Sequence, residues 1–257
     1  MTQALSQLWP VAIPPVLAIE RQQNWMLMRD AGKLLSDDQE KVRDIATWQE
    51  IFTSYICIQK EAVAYRDHLL QQGCPDRRLN ILPSLFAEAI ADTEMLYIGK
   101  EGGITEEQYA QLRLLLPQVK GMCDELASYG MLETLHHDDL HSGNILISGD
   151  HYIFFDWAES FIVHPFFSLA VILRYMGYSH DFDVRQRALL CEIYLQAWTD
   201  YAPIEHLRTA FRIAQKLGMF CRGLTWYTYV RQLEPAVREK YAGEWPYWLQ
   251  LFLKTAL

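Results

Sequence analysis

Between His137 and Asp156 the chain reads HDDLHSGNILISGDHYIFFD, and three oxygen-bearing side chains within it fall at usable spacings: Asp139, Asn144 five residues on, and Asp156 seventeen residues on. A carboxylate followed at these intervals by an amide and a second carboxylate suits phosphoryl transfer. The first can accept the proton of an attacking hydroxyl, while the amide and the second carboxylate hold Mg²⁺ against phosphate oxygens. Singly, each of the three is an ordinary loop or turn residue. Their joint spacing is what points to chemistry.

The elements that must position them are legible nearby. Asn144 to Ile147 and Tyr152 to Phe155 are short β-prone runs, and Ser148-Gly149-Asp150-His151 between them has turn composition. A hairpin is therefore predicted. It would return Asp156 to the end at which Asn144 begins, so that both could face one hard cation.

His137-Asp138-Asp139 stands where protein kinases carry H-R-D, and Asn144 closes the D-x-x-x-x-N. HDDLHSGNIL followed by FFDWAES resembles more closely the aminoglycoside phosphotransferase and choline kinase-like enzymes, with H-x-D-x-H-x-x-N and then Asp-Trp in place of D-F-G. The resemblance implies Asp139 as catalytic base, Asn144 and Asp156 as Mg²⁺ ligands, and His137 and His141 as members of the catalytic loop that brace it. Trp157 would take the Phe position of D-F-G, and His164-Pro165 would help seat the metal-binding segment. ATP and Mg²⁺ are the implied cofactors, and the hydroxyl of a small molecule is the implied acceptor. The implied fold is α+β: a protein kinase-like large lobe, mainly α-helical with a catalytic β-hairpin, plus a remnant of the small β lobe. Relatives phosphorylate antibiotics, choline-like amines, sugars and amino acids, and nothing in the sequence separates these.

Pro14 to Ile19 and Trp25 to Met28 read as two strands around a polar turn. They resemble the last two strands of the family's small lobe, and the segment from Met28 to Gly32 resembles its hinge. Met28, Arg29 and Asp30 are accordingly expected to meet the adenine. No Lys precedes Lys33 and no Gly precedes Gly32, so the nucleotide-covering loop and the phosphate-binding Lys of a complete small lobe are not encoded here. The expected division is residues 1–32 as lobe remnant and hinge, and 33–257 as the helical lobe, with the catalytic loop at 137–144 and the metal segment at 156–159. The same features support an alternative: a degenerate kinase-like module that binds without transferring phosphate.

A different reading of the cluster His136, His137, Asp138 and His141 is a metallohydrolase. It would need further ligands, and His68, His164, His180 and His206 show no paired ligand spacing. Asp138 reads most simply as a solvated neighbour of the base, and Glu159 either as a contact of the metal or of a cationic substrate or as half of a surface ion pair.

Elsewhere the pattern is helical. Residues 37–72 carry an apolar stripe, with Ser36 or Asp37 as N-cap and Gly73 as terminator. Residues 83–95 form a second helix. Thr105 opens a third with a capping box, reaching Gly130 with a kink near Pro117. Later helices are expected at 183–199, at 204–231 with a break near Gly218 or Gly223, and at 245–256.

The chain has 257 residues, 51% hydrophobic and 21% charged, which is enough to bury a sizeable core. Its net charge of -9 disfavours nucleic acid or an anionic membrane as partner and suits a cationic acceptor. The five scattered cysteines form no C-x-x-C, and no secretory signal is evident. A cytoplasmic protein with free thiols is expected.

Overall fold

The computed structural model describes residues 1–255. In chain order it contains α1 (Thr2–Leu8), β1 (Val16–Glu20), β2 (Trp25–Met28), β3 (Lys33–Leu34), α2 (Gln39–Val42), α3 (Ile45–Gln71), α4 (Leu82–Ala91), α5 (Glu106–Leu114), α6 (Leu116–Ser128) and β4 (Thr134–His136). There follow β5 (Ile145–Ser148), β6 (His151–Phe154), β7 (Phe161–Val163), α7 (Phe166–Ser179), α8 (Val184–Gln196), α9 (Ile204–Arg231), α10 (Pro235–Arg238) and α11 (Glu244–Lys254). Two compact units share them: residues 1–76 with 133–198, and residues 77–132 with 199–257. The expected boundary at 32/33 lies inside the first.

In the first unit the spine is α3. Its predicted start at Ser36 or Asp37 is displaced, because two later aspartates compete for the cap. Asp38 accepts from the Lys41 amide and starts the single turn of α2, while Asp44 accepts from the amides of Ala46 and Thr47 and starts α3. At the other end Gly73, with φ +88°, carries the left-handed cap that lets Cys74 N–H reach Leu69 O and Gly73 N–H reach Leu70 O. The stripe between them is buried: Trp48, Phe52 and Tyr55 pack with Phe154, Phe166 and Tyr194. Within it sits Gln59, fully enclosed, which asks for polar partners.

Three small sheets complete this unit. β1 and β2 form the expected antiparallel hairpin, and Leu17, Trp25 and Leu27 on it are exposed. β5 and β6 form the predicted second hairpin, with Ile145 opposite Phe154. β3 adds to its open edge, pairing Lys33 with Ile147. β4 and β7 pair Thr134 with Val163, and their three-residue length gave no periodic signal in the sequence. Helix α1 was likewise not apparent from the pattern.

In the second unit Thr105 forms the predicted capping box with Gln108. Pro117 does more than kink the helix. Lacking an N–H and restricting its predecessor, it lies in the first turn of a new helix, so α5 ends at Leu114 and α6 begins at Leu116. The opposite holds for α9, which runs unbroken from Ile204 to Arg231. Gly223 serves close packing instead: a Cβ there would lie 2.6 Å from the Trp245 ring of α11. Phe86, Phe220 and Phe252 form the unit's aromatic centre. The helix expected at 83–95 stops at Ala91, and α11 ends at Lys254, so the expected extension to Ala256 falls partly outside the described residues.

No helix among the described residues is long and apolar enough to cross a membrane. All five cysteines are free thiols.

Candidate active site

The first unit gathers the segment from His136 to Trp157 into one site. β4 ends at His136, and the chain then turns at Asp138, whose φ of +66° lies in the left-handed region. Asp139 follows, its side chain about a quarter exposed. Asn144 donates from Nδ2 to the Asp139 carbonyl at 2.9 Å and to Asp139 Oδ2 at 3.2 Å. His141 approaches the same Oδ2 at 3.4 Å through Nε2. Its Nδ1 accepts from the Gly143 amide, so Nε2 carries the ring's proton in the neutral form and points it at the carboxylate. Stacking on Tyr175, with ring centroids 4.9 Å apart, fixes the plane of the imidazole.

Hairpin register does for Asp156 what the sequence anticipated. Phe155, opposite Asn144, donates its N–H to the Asn144 carbonyl at 3.1 Å. The Phe155 carbonyl in turn accepts from His137 Nε2 at 2.9 Å, so the peptide just before Asp156 is pinned on both sides. Asp156 itself is exposed and left-handed, with φ +59° and ψ +61°. Trp157 then folds inward, fully buried, and donates from Nε1 to the Phe154 carbonyl.

His137 is fully enclosed, and burial pushes its pKa down to about 4, so the ring is neutral at physiological pH. Its geometry is that of a brace between the catalytic loop and the hairpin. His164 is also buried, with its pKa pushed down to about 3 by burial, and its Nδ1 accepts from the Phe166 amide at the start of α7.

The Asn144 amide nitrogen is committed to Asp139, whereas its Oδ1 has no hydrogen-bonding partner among the described residues. The Asp156 carboxylate likewise makes no hydrogen bond or ion pair there. Two uncommitted oxygen donors on neighbouring hairpin positions match what Mg²⁺ takes from protein, the remainder of its octahedron coming from water and phosphate. The residues present therefore fit that ion.

Met28, Arg29 and Asp30 leave β2 with Arg29 N–H donating to the Pro15 carbonyl and Asp30 accepting from Gly32 N–H. Two residues later the chain crosses β5 closely, a Cβ on Gly32 falling 2.2 Å from Ile147 O. The structure thus ties this hinge-like segment to the hairpin that carries Asn144 and Asp156.

Two expectations are corrected. Asp138 is not solvated: it is 2% exposed, and its Oδ1 lies 2.9 Å from His136 Nε2. The metallohydrolase cluster does not assemble either. His136 is engaged at both ring nitrogens, and among the described residues no three His, Cys, Asp or Glu side chains gather to hold a metal ion. Sequence reasoning treated Tyr55 and Gln59 as stripe residues and passed over Ser168 and Tyr175; Tyr55 and Tyr175 touch the loop at His137 and His141, and Ser168, bonded to Gln59, touches His136 just before it. The available signal was Gln59, a polar residue in an otherwise apolar stripe.

The chain is similar to known proteins in family and in fold. The model of the phosphotransferase enzyme family matches residues 67–205. An ethanolamine kinase of Plasmodium vivax superposes with a TM-score of 0.61 at 15% identity, covering 99% of this chain and 73% of its own. A choline kinase of Cryptosporidium parvum gives a TM-score of 0.61 at 13% identity, covering 99% and 75%. A choline/ethanolamine kinase family protein of Mesorhizobium loti gives 0.52 at 14%, covering 99% and 77%. No curated protein sequence matches the chain. The fold is protein kinase-like, with a mainly helical large lobe and small antiparallel sheets.

Proposed function

Since the chain belongs to the phosphotransferase enzyme family, we propose that it transfers the γ-phosphoryl group of ATP to a hydroxyl of a small molecule. The observation that carries the reading is the constellation around Asp139: a partly exposed carboxylate steered by His141 and Asn144, beside a hairpin that presents two uncommitted oxygen donors. Asp139 orients the acceptor hydroxyl and takes its proton as the oxygen attacks phosphorus. His141 and Asn144, both holding Oδ2, restrict the carboxylate's rotation and so fix the direction of attack. Asn144 and Asp156 would hold Mg²⁺, whose charge would offset that developing on the transferred phosphoryl group. Met28, Arg29 and Asp30 supply the backbone edge for the adenine.

A net charge of -9 favours a cationic acceptor, and the amino-alcohols named for the ethanolamine and choline kinases of similar fold are the cations we propose first. The five free thiols suit the cytoplasm. A second reading is binding without transfer. Calorimetric titration of ATP with Mg²⁺, followed by a coupled assay over a panel of amino-alcohols, separates the two. Transfer requires turnover in the wild type and its loss, by about 10³-fold or more, in Asp139→Ala with an unchanged melting temperature. Nucleotide binding without turnover on any acceptor favours the second reading, and turnover that survives Asp139→Ala removes the proposed base.

A further inference from the structure

Behind the loop lies a buried polar chain that the transfer step does not use. Ser168 Oγ, on α7, is within hydrogen-bonding distance of Tyr55 OH at 3.0 Å, of Gln59 Nε2 at 3.1 Å and of His136 Nδ1. His136 Nε2 reaches Asp138 Oδ1, and Tyr55 OH accepts from the His137 backbone N–H at 3.1 Å. All five side chains are at most 2% exposed.

The donor inventory fixes the direction of every bond. Gln59 Nε2 and His137 N can only donate. Tyr55, accepting from His137, must give its proton to Ser168, or that proton would be buried without an acceptor. Ser168, already accepting from Tyr55 and Gln59, gives its single proton to His136 Nδ1. His136 is then the Nε2–H tautomer and donates to Asp138. The reverse order would aim a ring lone pair at the carboxylate.

Asp138 is where this chain matters. At φ +66° this non-glycine residue sits in the left-handed region and is held there by its surroundings. The turn it makes sets the direction of the next residue, Asp139.

We propose that Asp138, His136 and Ser168 form a buried brace that locks the left-handed turn of the loop and thereby aims the Asp139 carboxylate. They are positioning residues, and the proposal rests on the reading of Asp139 as the base. The brace gives the loop one orientation before substrate arrives, so that no ordering is left to the reacting complex.

The test uses the full chain. Nitrogen NMR of ¹⁵N-histidine-labelled protein should show His136 protonated at Nε2 in the wild type and a mixed or reversed tautomer in Ser168→Ala. Amide hydrogen exchange over residues 137–144 should accelerate about tenfold in Ser168→Ala and in Asp138→Gly, with α8 unchanged. Glycine adopts the turn without strain, so Asp138→Gly removes the bond and not the backbone geometry. In turnover, Asp138→Gly should lower kcat about tenfold with KM for ATP within about twofold, and Asp138→Asn, whose amide oxygen still accepts, should recover most of it. An Nδ1–H tautomer in the wild type, or unchanged exchange over 137–144 in both variants, overturns the brace. Absence of turnover in the wild type would count against the transfer reading alone, and the spectra and exchange rates would still decide the brace.

Discussion

The two neutral histidines buried in the first unit, His137 and His164, make the fold acid-labile as the pH falls below about 6.5. In the unfolded chain His137 and His164 protonate near 6.5, whereas in the folded chain burial holds them down to about 4 and about 3. The unfolded state therefore binds more protons at every pH below about 6.5, so stability falls as pH falls and the loss continues until the folded pKa is reached. Between pH 7 and pH 5 each ring contributes a loss of about 2 kcal/mol, at 1.36 kcal/mol per unit below 6.5. Together they remove about 4 kcal/mol from a total that for such a chain is about 5–15 kcal/mol. At about 2–4 °C per kcal/mol for this length, the melting temperature should drop by about 10 °C. Differential scanning calorimetry at pH 7, 6 and 5 measures this directly. His137→Asn and His164→Asn, which cannot titrate, should each lose about half of the pH dependence whatever their stability at pH 7. Equal melting temperatures at pH 7 and pH 5 in the wild type, or an undiminished dependence in both variants, would refute the reasoning.

Other perturbations follow from single contacts. Gly223→Ala sets a Cβ 2.6 Å from Trp245 and 2.9 Å from the Trp248 Cβ, so overpacking of about 1–3 kcal/mol should outweigh the gain of about 1 kcal/mol in helix propensity. A denaturant midpoint that rises would show that α9 and α11 are not this close. Gly32→Ala meets the Ile147 carbonyl at 2.2 Å with φ +124°, where neither partner is a flexible side chain, and should cost at least about 2 kcal/mol by urea unfolding. A neutral result would mean that the hinge-like segment does not cross β5. Asp156→Ala should abolish Mg²⁺-dependent ATP binding in calorimetry while leaving the melting temperature within about 2 °C, since the side chain is exposed and makes no hydrogen bond among the described residues.

What the sequence made legible was whatever depends on near neighbours. Asp139, Asn144 and Asp156 could be placed at one site because a hairpin of four-residue strands is a local object whose register follows from its turn. Thr105 and Gly73 mark helix ends because caps are satisfied within a few residues. Misreadings arose where partners are distant. Gly223 resembled a break, but Trp245 needs its missing side chain. Asp138 resembled a solvated loop residue, but it is buried against His136 of β4, which Ser168 of α7 and, through it, Tyr55 of α3 hold in place.

Asp138 also shows why the misreading was unavoidable from pattern alone. Spacing along a chain can state which atoms are available to a metal or a hydroxyl, since ligand sets are written in short motifs. It cannot state which way those atoms face, because orientation here is decided by Ser168, twenty-nine residues past the base, and by Tyr55 and Gln59 on a helix that ends more than sixty residues before it. The one local trace of that second code is chemical: a glutamine in an apolar stripe must be paid for by partners, and here its Nε2 is spent on Ser168 and the carbonyls of Leu135 and Pro165. Leu135 lies in β4, the strand that leads into the catalytic loop, and Pro165 and Ser168 open α7, which holds His136 from behind, so the buried amide and the aim of Asp139 are parts of one arrangement.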